Sequence, residues 1–253
     1  MKLKDKISLI TGAADGIGLA CAKLFCAEGS FVIMADIDYE KCAKEAKGLN
    51  ALAVHCDVRS TEDVKQLIEQ VITKYKKIDV LINNVAVAIG GNITEMNEDD
   101  WNMVLNTNLT SAYRFIKHVL PHMLAQKTGS IINMSSTQAH RSWYNWTAYA
   151  AAKGALLSMT TQLAGQFGAQ NIRVNSISPG TIATPMLQKR IEEEGAELLD
   201  KSVMMHAMER LGKPEEVAAV ALLLAGDDAA FVNGIDIKID GGLSTLPRYN
   251  EIH

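Results

Sequence analysis

The sequence predicts an α/β fold in which one parallel sheet is covered by helices on both faces, and three observations lead there. Short runs of apolar and β-branched residues alternate along the chain with longer stretches of helical periodicity, the pattern of strands joined by crossover helices. The first of these runs opens directly into a glycine-rich turn and then an alanine-rich helix. Several runs end in Asp, Asn or Ser, at the carboxyl edge of the sheet where such folds collect their ligands.

The chain has 253 residues and no Pro/Gly/Ser-rich linker, so residues 1–253 are read as a single domain. A hydrophobic share of 48% against 21% charged residues suffices for a large core and argues against disorder. The net charge is −4 and Lys and Arg are scattered, which points away from nucleic acid and anionic membranes and toward a small-molecule ligand. Cys21, Cys26, Cys42 and Cys56 form no Cys-x-x-Cys pair and have no His cluster beside them, so they read as packing residues in a reducing compartment, with no metal site. The polar start Met1 to Lys6 lacks the apolar core of a signal peptide, and the apolar run 217–225 is too short to span a bilayer. The expectation is a cytoplasmic protein.

Taken in order, residues 7–11 make the first strand, and Gly12-Ala13-Ala14-Asp15-Gly16-Ile17-Gly18 makes the turn that starts a helix running to Glu28. Glycines permit tight turns and close approach, so N–H groups at the helix start can face a pyrophosphate. A second strand, 31–35, ends at Asp36-Ile37, where a carboxylate can accept both ribose hydroxyls of an adenosine and repel a 2′-phosphate. With Asp15 and neither Lys nor Arg in the glycine turn, NAD is favoured over NADP. The other reading of Asp36 is as a residue at the start of the helix over 38–49.

Strand 52–56 ends at Asp57-Val58, helix 61–75 follows with acidic residues in its first turn, and strand 79–82 ends in Asn83-Asn84. A long helical region, 97–126, carries Asn106 and Asn108, and strand 130–134 ends at Ser135-Ser136. A helix over 148–168, a strand over 173–177 before Pro179-Gly180, a helix over 214–226 and a strand over 235–239 before Asp240-Gly241-Gly242 complete seven strands without an internal repeat. On the helix over 148–168, Tyr149 and Lys153 stand four residues apart and therefore on one face. A phenol, with a pKa of about 10, needs a neighbouring ammonium to serve as acid or base near neutrality. By itself the pair also fits the solvated face of an amphipathic helix.

The ordered set Thr11-Gly12-x-x-x-Gly16-Ile17-Gly18, Asp57-Val58, Asn83-Asn84, Asn108, Ser136, Tyr149-x-x-x-Lys153, Pro179-Gly180 with Thr184, and Asp240-Gly241-Gly242 resembles the classical short-chain dehydrogenases/reductases over almost the full length. The resemblance implies a doubly wound Rossmann domain with a seven-stranded parallel sheet, a bound nicotinamide cofactor and a homotetramer. It implies that Tyr149 exchanges a proton with the substrate oxygen, that Ser136 hydrogen-bonds the same oxygen, that Lys153 biases Tyr149 and holds the nicotinamide ribose, and that Asn108 anchors a proton-relay water. Ser136 is preferred to Ser135 because it precedes Tyr149 by thirteen residues, the family's usual spacing. Ile182 and Thr184 are assigned to the nicotinamide, and no metal is needed because the cofactor performs the redox step.

The family's usual Asn-Asn-Ala-Gly is here Asn83-Asn84-Val85-Ala86, which puts side chains where the ribose normally meets bare backbone. After Ser136 comes a polar, aromatic loop in which Gln138, His140, Arg141, Trp143, Tyr144 and Trp146 stand between catalytic serine and tyrosine, with Gln138, Arg141 and Trp143 read as substrate-binding. Such a lining suits a sugar, polyol or hydroxy acid, although the aromatics also fit a subunit contact. Residues 184–211, with Met186, Met204, Met205 and Met208, read as an apolar lid. The alternatives are an oxidoreductase of an apolar carbonyl such as a sterol or acyl chain, and a non-catalytic NAD-binding regulator.

Overall fold

A computed structural model describes residues 1–245, so most of the tail 243–253, read as polar and able to reach a neighbouring subunit, lies outside the described residues. The strands are β1 (Ile7–Thr11), β2 (Phe31–Asp36), β3 (Ala51–His55), β4 (Val80–Asn83), β5 (Gly129–Met134), β6 (Ile172–Pro179) and β7 (Asp236–Ile239). They form one sheet in the order β3-β2-β1-β4-β5-β6-β7, every pair parallel. The order reverses between β1 and β4, which opens a crevice at their carboxyl ends.

The central strands are buried on both sides, successive side chains pointing to opposite faces. Leu9, Ile33, Leu81 and Ile131 face a layer built on α3 (Thr61–Tyr75), α5 (Ser111–Gln126) and α6 (Thr147–Phe167), through Val64, Ile68, Phe115 and Val119. Their neighbours Ile10, Met34, Ile82 and Ile132 face the opposite layer, built on α1 (Gly16–Ala27) and α9 (Pro214–Ala225), through Phe25, Val217 and Ala221. Each central strand must therefore be apolar along its whole length, which is why runs without polar alternation marked the strands.

The remaining helices are α2 (Tyr39–Ala46), α4 (Glu98–Leu105), α7 (Pro185–Glu194) and α8 (Glu197–Met204). The helical region expected over 97–126 is interrupted by a π turn at Asn106–Thr110 between α4 and α5. Residues 184–211 leave the sheet as α7 and α8 but are pinned at their base, where Ile182 bridges Gly212 and the Ala183 N–H donates to the Gly212 carbonyl at 2.9 Å.

A polar chain crosses the centre of the sheet. The fully buried Asn133 accepts a bond from Asn83 Nδ2 at 2.8 Å and donates to Thr160 Oγ1 at 2.9 Å, joining β4, β5 and α6. Removing it strands two buried partners, each with a desolvation penalty. Asn133→Ala is expected to destabilise the protein by about 3 kcal/mol, read as a lowered midpoint in urea unfolding.

Candidate active site

The crevice at the switch point is a cavity of about 790 Å3 that runs from the end of β2 to the lid. At one end the chain is shaped for close approach. Gly12 and Gly16 hold left-handed φ values of 64° and 51°, and a Cβ on Gly18 would fall 2.0 Å from the Gly12 carbonyl oxygen. Gly18 therefore brings α1 down onto the turn rather than facing the cavity itself. Asp15 occupies the N-cap position of α1 without capping it; its carboxylate pairs with Lys41 at 2.6 Å, which leaves the helix start open to an anion.

Asp36 is held at the cavity edge by two backbone donors, Ala14 N–H at 2.9 Å and Asp38 N–H at 3.0 Å. Its orientation is thus set by the chain. Asp57, also in the wall, is gripped by the Arg59 guanidinium at 2.7 Å, which holds its carboxyl below the usual range. Asn84 Nδ2 donates to the carbonyls of Thr11 and Gly12, both at 3.1 Å, and so ties the ends of β4 and β1 together. Val85 packs its Cγ2 over the bare α-carbon side of Gly12, so the departure from the family motif is absorbed by packing against the turn. The open helix start, the glycine cradle and the fixed carboxylate fit a dinucleotide, with Ile17, Ile37 and Val58 as apolar wall.

Ser136, Tyr149 and Lys153 meet in the same cavity. Lys153 is 2% exposed and its Nζ donates to the Met134 carbonyl at 2.6 Å, lying 5.5 Å from the centre of the Tyr149 ring. Ser135 and Ser136 part company here. The Ser135 hydroxyl is committed to the Lys153 carbonyl at 2.9 Å, whereas Ser136 Oγ accepts the Gln138 N–H at 3.2 Å and keeps its proton to give.

The expected easing of the Tyr149 proton by Lys153 is not seen in the free protein. Burial pushes Tyr149 up to about 12, with the Ser136 hydroxyl and the Arg190 charge pulling the other way. Burial likewise brings Lys153 down to about 7. A low-dielectric setting penalises both ions.

Asn108, turned inward by the π turn, spends its side chain on Val87, accepting from its N–H at 2.8 Å and donating to its carbonyl at 2.9 Å. Its amide therefore positions the strand-end loop.

The loop after Ser136 divides. Gln138, Trp143 and Trp146 line the cavity as expected. Arg141 does not: its Nη1 donates to the Leu243 carbonyl, and His140 turns to Asp236 at 2.8 Å. The reading of Arg141 as substrate-binding is corrected on this point, because the segment following β7 offers it an acceptor away from the cavity. Ile182 and Thr184 lie in the wall, with Thr184 capping α7 through Leu187 N–H at 3.4 Å. From the lid, Met186 and Met205 face the cavity, while Met204 and Met208 are exposed. Sequence reasoning missed Lys41, Arg59 and Arg190, charged residues on helices and loops whose helical periodicity carries no sign of which cleft they border.

A dinucleotide cradle at one end and a poised phenol at the other are the working parts of a nicotinamide-dependent oxidoreductase. The sequence model for a family described as enoyl-(acyl carrier protein) reductase matches residues 12–244. The chain is 40% identical over 248 residues to the 3-oxoacyl-[acyl-carrier-protein] reductase FabG of Thermotoga maritima, covering 96% of this chain and 99% of the relative. It is 37% identical over 245 residues to the meso-2,3-butanediol dehydrogenase of Serratia marcescens, covering 96% of each. The ligand-free structure of Thermoplasma acidophilum aldohexose dehydrogenase superimposes with a TM-score of 0.90 at 33% identity, over 97% of this chain and 96% of that one. The protein belongs to the short-chain dehydrogenase/reductase family. It is an oxidoreductase acting on CH–OH or carbonyl groups of small molecules with a nicotinamide cofactor. Among the described residues no helix is long and apolar enough to cross a membrane.

The low Lys153 value has a consequence for stability. Between about 7 and the ordinary 10.5, the unfolded chain holds a proton on this amine that the folded one has released, so rising pH favours folding through that window. Stability should gain about 1 kcal/mol per pH unit from this source. Lys153→Met is expected to lack that gain, read as the difference between the two proteins in urea unfolding at pH 7 and 8.5.

Proposed function

We propose that the protein is an NAD-dependent dehydrogenase/reductase that interconverts a secondary alcohol and its ketone, or a sugar hemiacetal and its lactone, on a sugar, polyol or hydroxy acid. The observation that carries this reading is the division of labour at the cavity end: Ser135 and Asn108 are committed to backbone partners, while the Ser136 and Tyr149 hydroxyls remain for a substrate oxygen. Asp36 supports NAD over NADP, since a carboxylate fixed by two N–H groups cannot swing away from a 2′-phosphate.

In the oxidative direction Tyr149, protonated in the free protein, passes its phenolic proton to the Lys153 amine as it takes the hydroxyl proton of the alcohol, and in the reverse direction the same transfers run backwards. Ser136 donates a hydrogen bond to the same oxygen and steadies the negative charge that develops there. Bound oxidised nicotinamide supplies the acceptor for the hydrogen on the carbinol carbon. Lys153, buried with a pKa of about 7, passes the proton between Tyr149 and solvent and would hold the nicotinamide ribose. The lid helices keep water from the reacting carbon.

Two buried atoms without a partner among the described residues, Gln138 Oε1 and Trp143 Nε1, belong to cavity-wall side chains. An acceptor and a donor left unsatisfied favour a ligand that carries both kinds of group, which a polyol, sugar or hydroxy acid does and a bare sterol does not. Among relatives, the names of a butanediol dehydrogenase and an aldohexose dehydrogenase agree with this reading, whereas the 3-oxoacyl-[acyl-carrier-protein] reductases agree with the alternative of an acyl-chain carbonyl.

Tyr149→Phe is expected to lower turnover by about 1,000-fold or more with NADH binding retained in a fluorescence titration; near-normal turnover would remove Tyr149 from the chemistry. Asp36→Ala should lower the ratio of kcat/KM for NAD over NADP by about 10-fold or more. An unchanged ratio would place cofactor choice elsewhere.

A further inference from the structure

Five cations border the cavity: Lys41, Arg59, Lys153, Arg190 and Lys201. Three are accounted for. Lys41 and Arg59 are paired with Asp15 and Asp57 at the adenosine end, and Lys153 belongs to the proton-transfer set. Lys201 is 70% exposed and pairs along its own helix with Glu197.

Arg190 differs in its setting. Its side chain is 23% exposed, and its guanidinium carbon lies 4.7 Å from the centre of the Trp146 ring. That ring stands edge-on to Tyr149, with centroids 5.6 Å apart. A lid residue is thus stacked one aromatic ring away from the phenol, close enough for its charge to lower the phenol's pKa. Glu194 engages Nε and Nη2, at 2.8 and 3.1 Å. Nη1 has no hydrogen-bond partner among the described residues, and the Trp146 ring beneath the guanidinium together with Glu194 restrains it, leaving a donor suited to a carboxylate. Around it Met186, Leu187, Leu198 and Met205 supply apolar wall for a short carbon chain.

We propose that Arg190 is the receptor for a carboxylate on the substrate, so that the alcohol and ketone handled here are a short hydroxy acid and the matching oxo acid. The inference rests on the redox reading given above and narrows it to one substrate class. The carboxylate passes through the reaction unchanged: the carbinol carbon loses its hydrogen with the electron pair to the nicotinamide, and its hydroxyl proton goes to Tyr149. Glu194 is the internal counter-ion that the incoming carboxylate displaces or shares.

Binding is tested apart from turnover, using Tyr149→Phe protein saturated with NADH and calorimetric titration of pyruvate, acetoacetate and levulinate against their amides. At least one acid should bind about 10-fold or more tightly than its amide. Adding Arg190→Gln should abolish that preference, and Glu194→Gln should strengthen acid binding because it frees the guanidinium. A merely structural ion pair would make both substitutions act in the same direction. Amides that match their acids, or an acid preference that survives Arg190→Gln, would overturn the proposal. Acid binding lost in Arg190→Gln, with no NADH oxidation by the unsubstituted enzyme on any of the three acids, would uphold the receptor and sink the redox reading instead.

Discussion

The structure of the site depends on one buried amine. Lys153 Nζ reaches the Met134 carbonyl at the end of β5, and the Lys153 carbonyl in turn receives the Ser135 hydroxyl. These two bonds fasten the first turns of α6 to the carboxyl end of the strand that carries Ser136. They fix the separation of the serine and tyrosine hydroxyls, which would otherwise depend on the twelve residues, 135–146, between the two elements. The side chain that performs this structural task is also the one whose charge the chemistry needs. Burial makes the ammonium costly, so the free protein holds an amine near its midpoint at neutral pH beside a phenol that keeps its proton. A group near its midpoint can both accept and release a proton, a property an exposed lysine, charged throughout the neutral range, does not have.

The other end of the cavity works by backbone rather than side chains. The close approach of Gly18 to the Gly12 carbonyl sets α1 against the turn, and Asn84 locks that turn to β4. Asp36 and Asp57, at the ends of neighbouring strands, are each immobilised, one by N–H groups and the other by Arg59. Binding a long, flexible dinucleotide loses less entropy when its contacts are already in place. The replacement of the family's Ala-Gly by Val85-Ala86 is tolerated because Val85 turns toward Gly12, where the missing side chain leaves it room.

Most of this was legible in the sequence, and the parts that were not share a cause. The strands were marked to within a residue or two because both faces of a parallel sheet are buried, so apolar runs stop where the sheet stops. Tyr149 and Lys153 were legible because helical geometry places residues four apart together and the ordered family motifs around them gave the pair its meaning. Local patterns carry that much. The π turn at Asn106–Thr110 left no sign in a sequence that reads as continuous helix. The turning away of His140 and Arg141 depends on Asp236 and the Leu243 carbonyl, about a hundred residues further along the chain. Which cations border the cavity was decided by the same long-range assembly, since Lys41, Arg59 and Arg190 sit on elements that meet only in the folded protein.

The lid joins these two ends. Its stems are bridged at Ile182 and Gly212, immediately beside Thr184, so any movement of α7 and α8 pivots about residues that border the nicotinamide end of the cavity. Thr184 also contacts the space above Gly16, where a Cβ would lie 3.3 Å from its Cγ2. The base of the lid is therefore packed against the cofactor turn while its far helix face, through Arg190 and Trp146, leans on the aromatic neighbour of Tyr149. Both contacts are made by one helix of ten residues and its N-cap, Thr184.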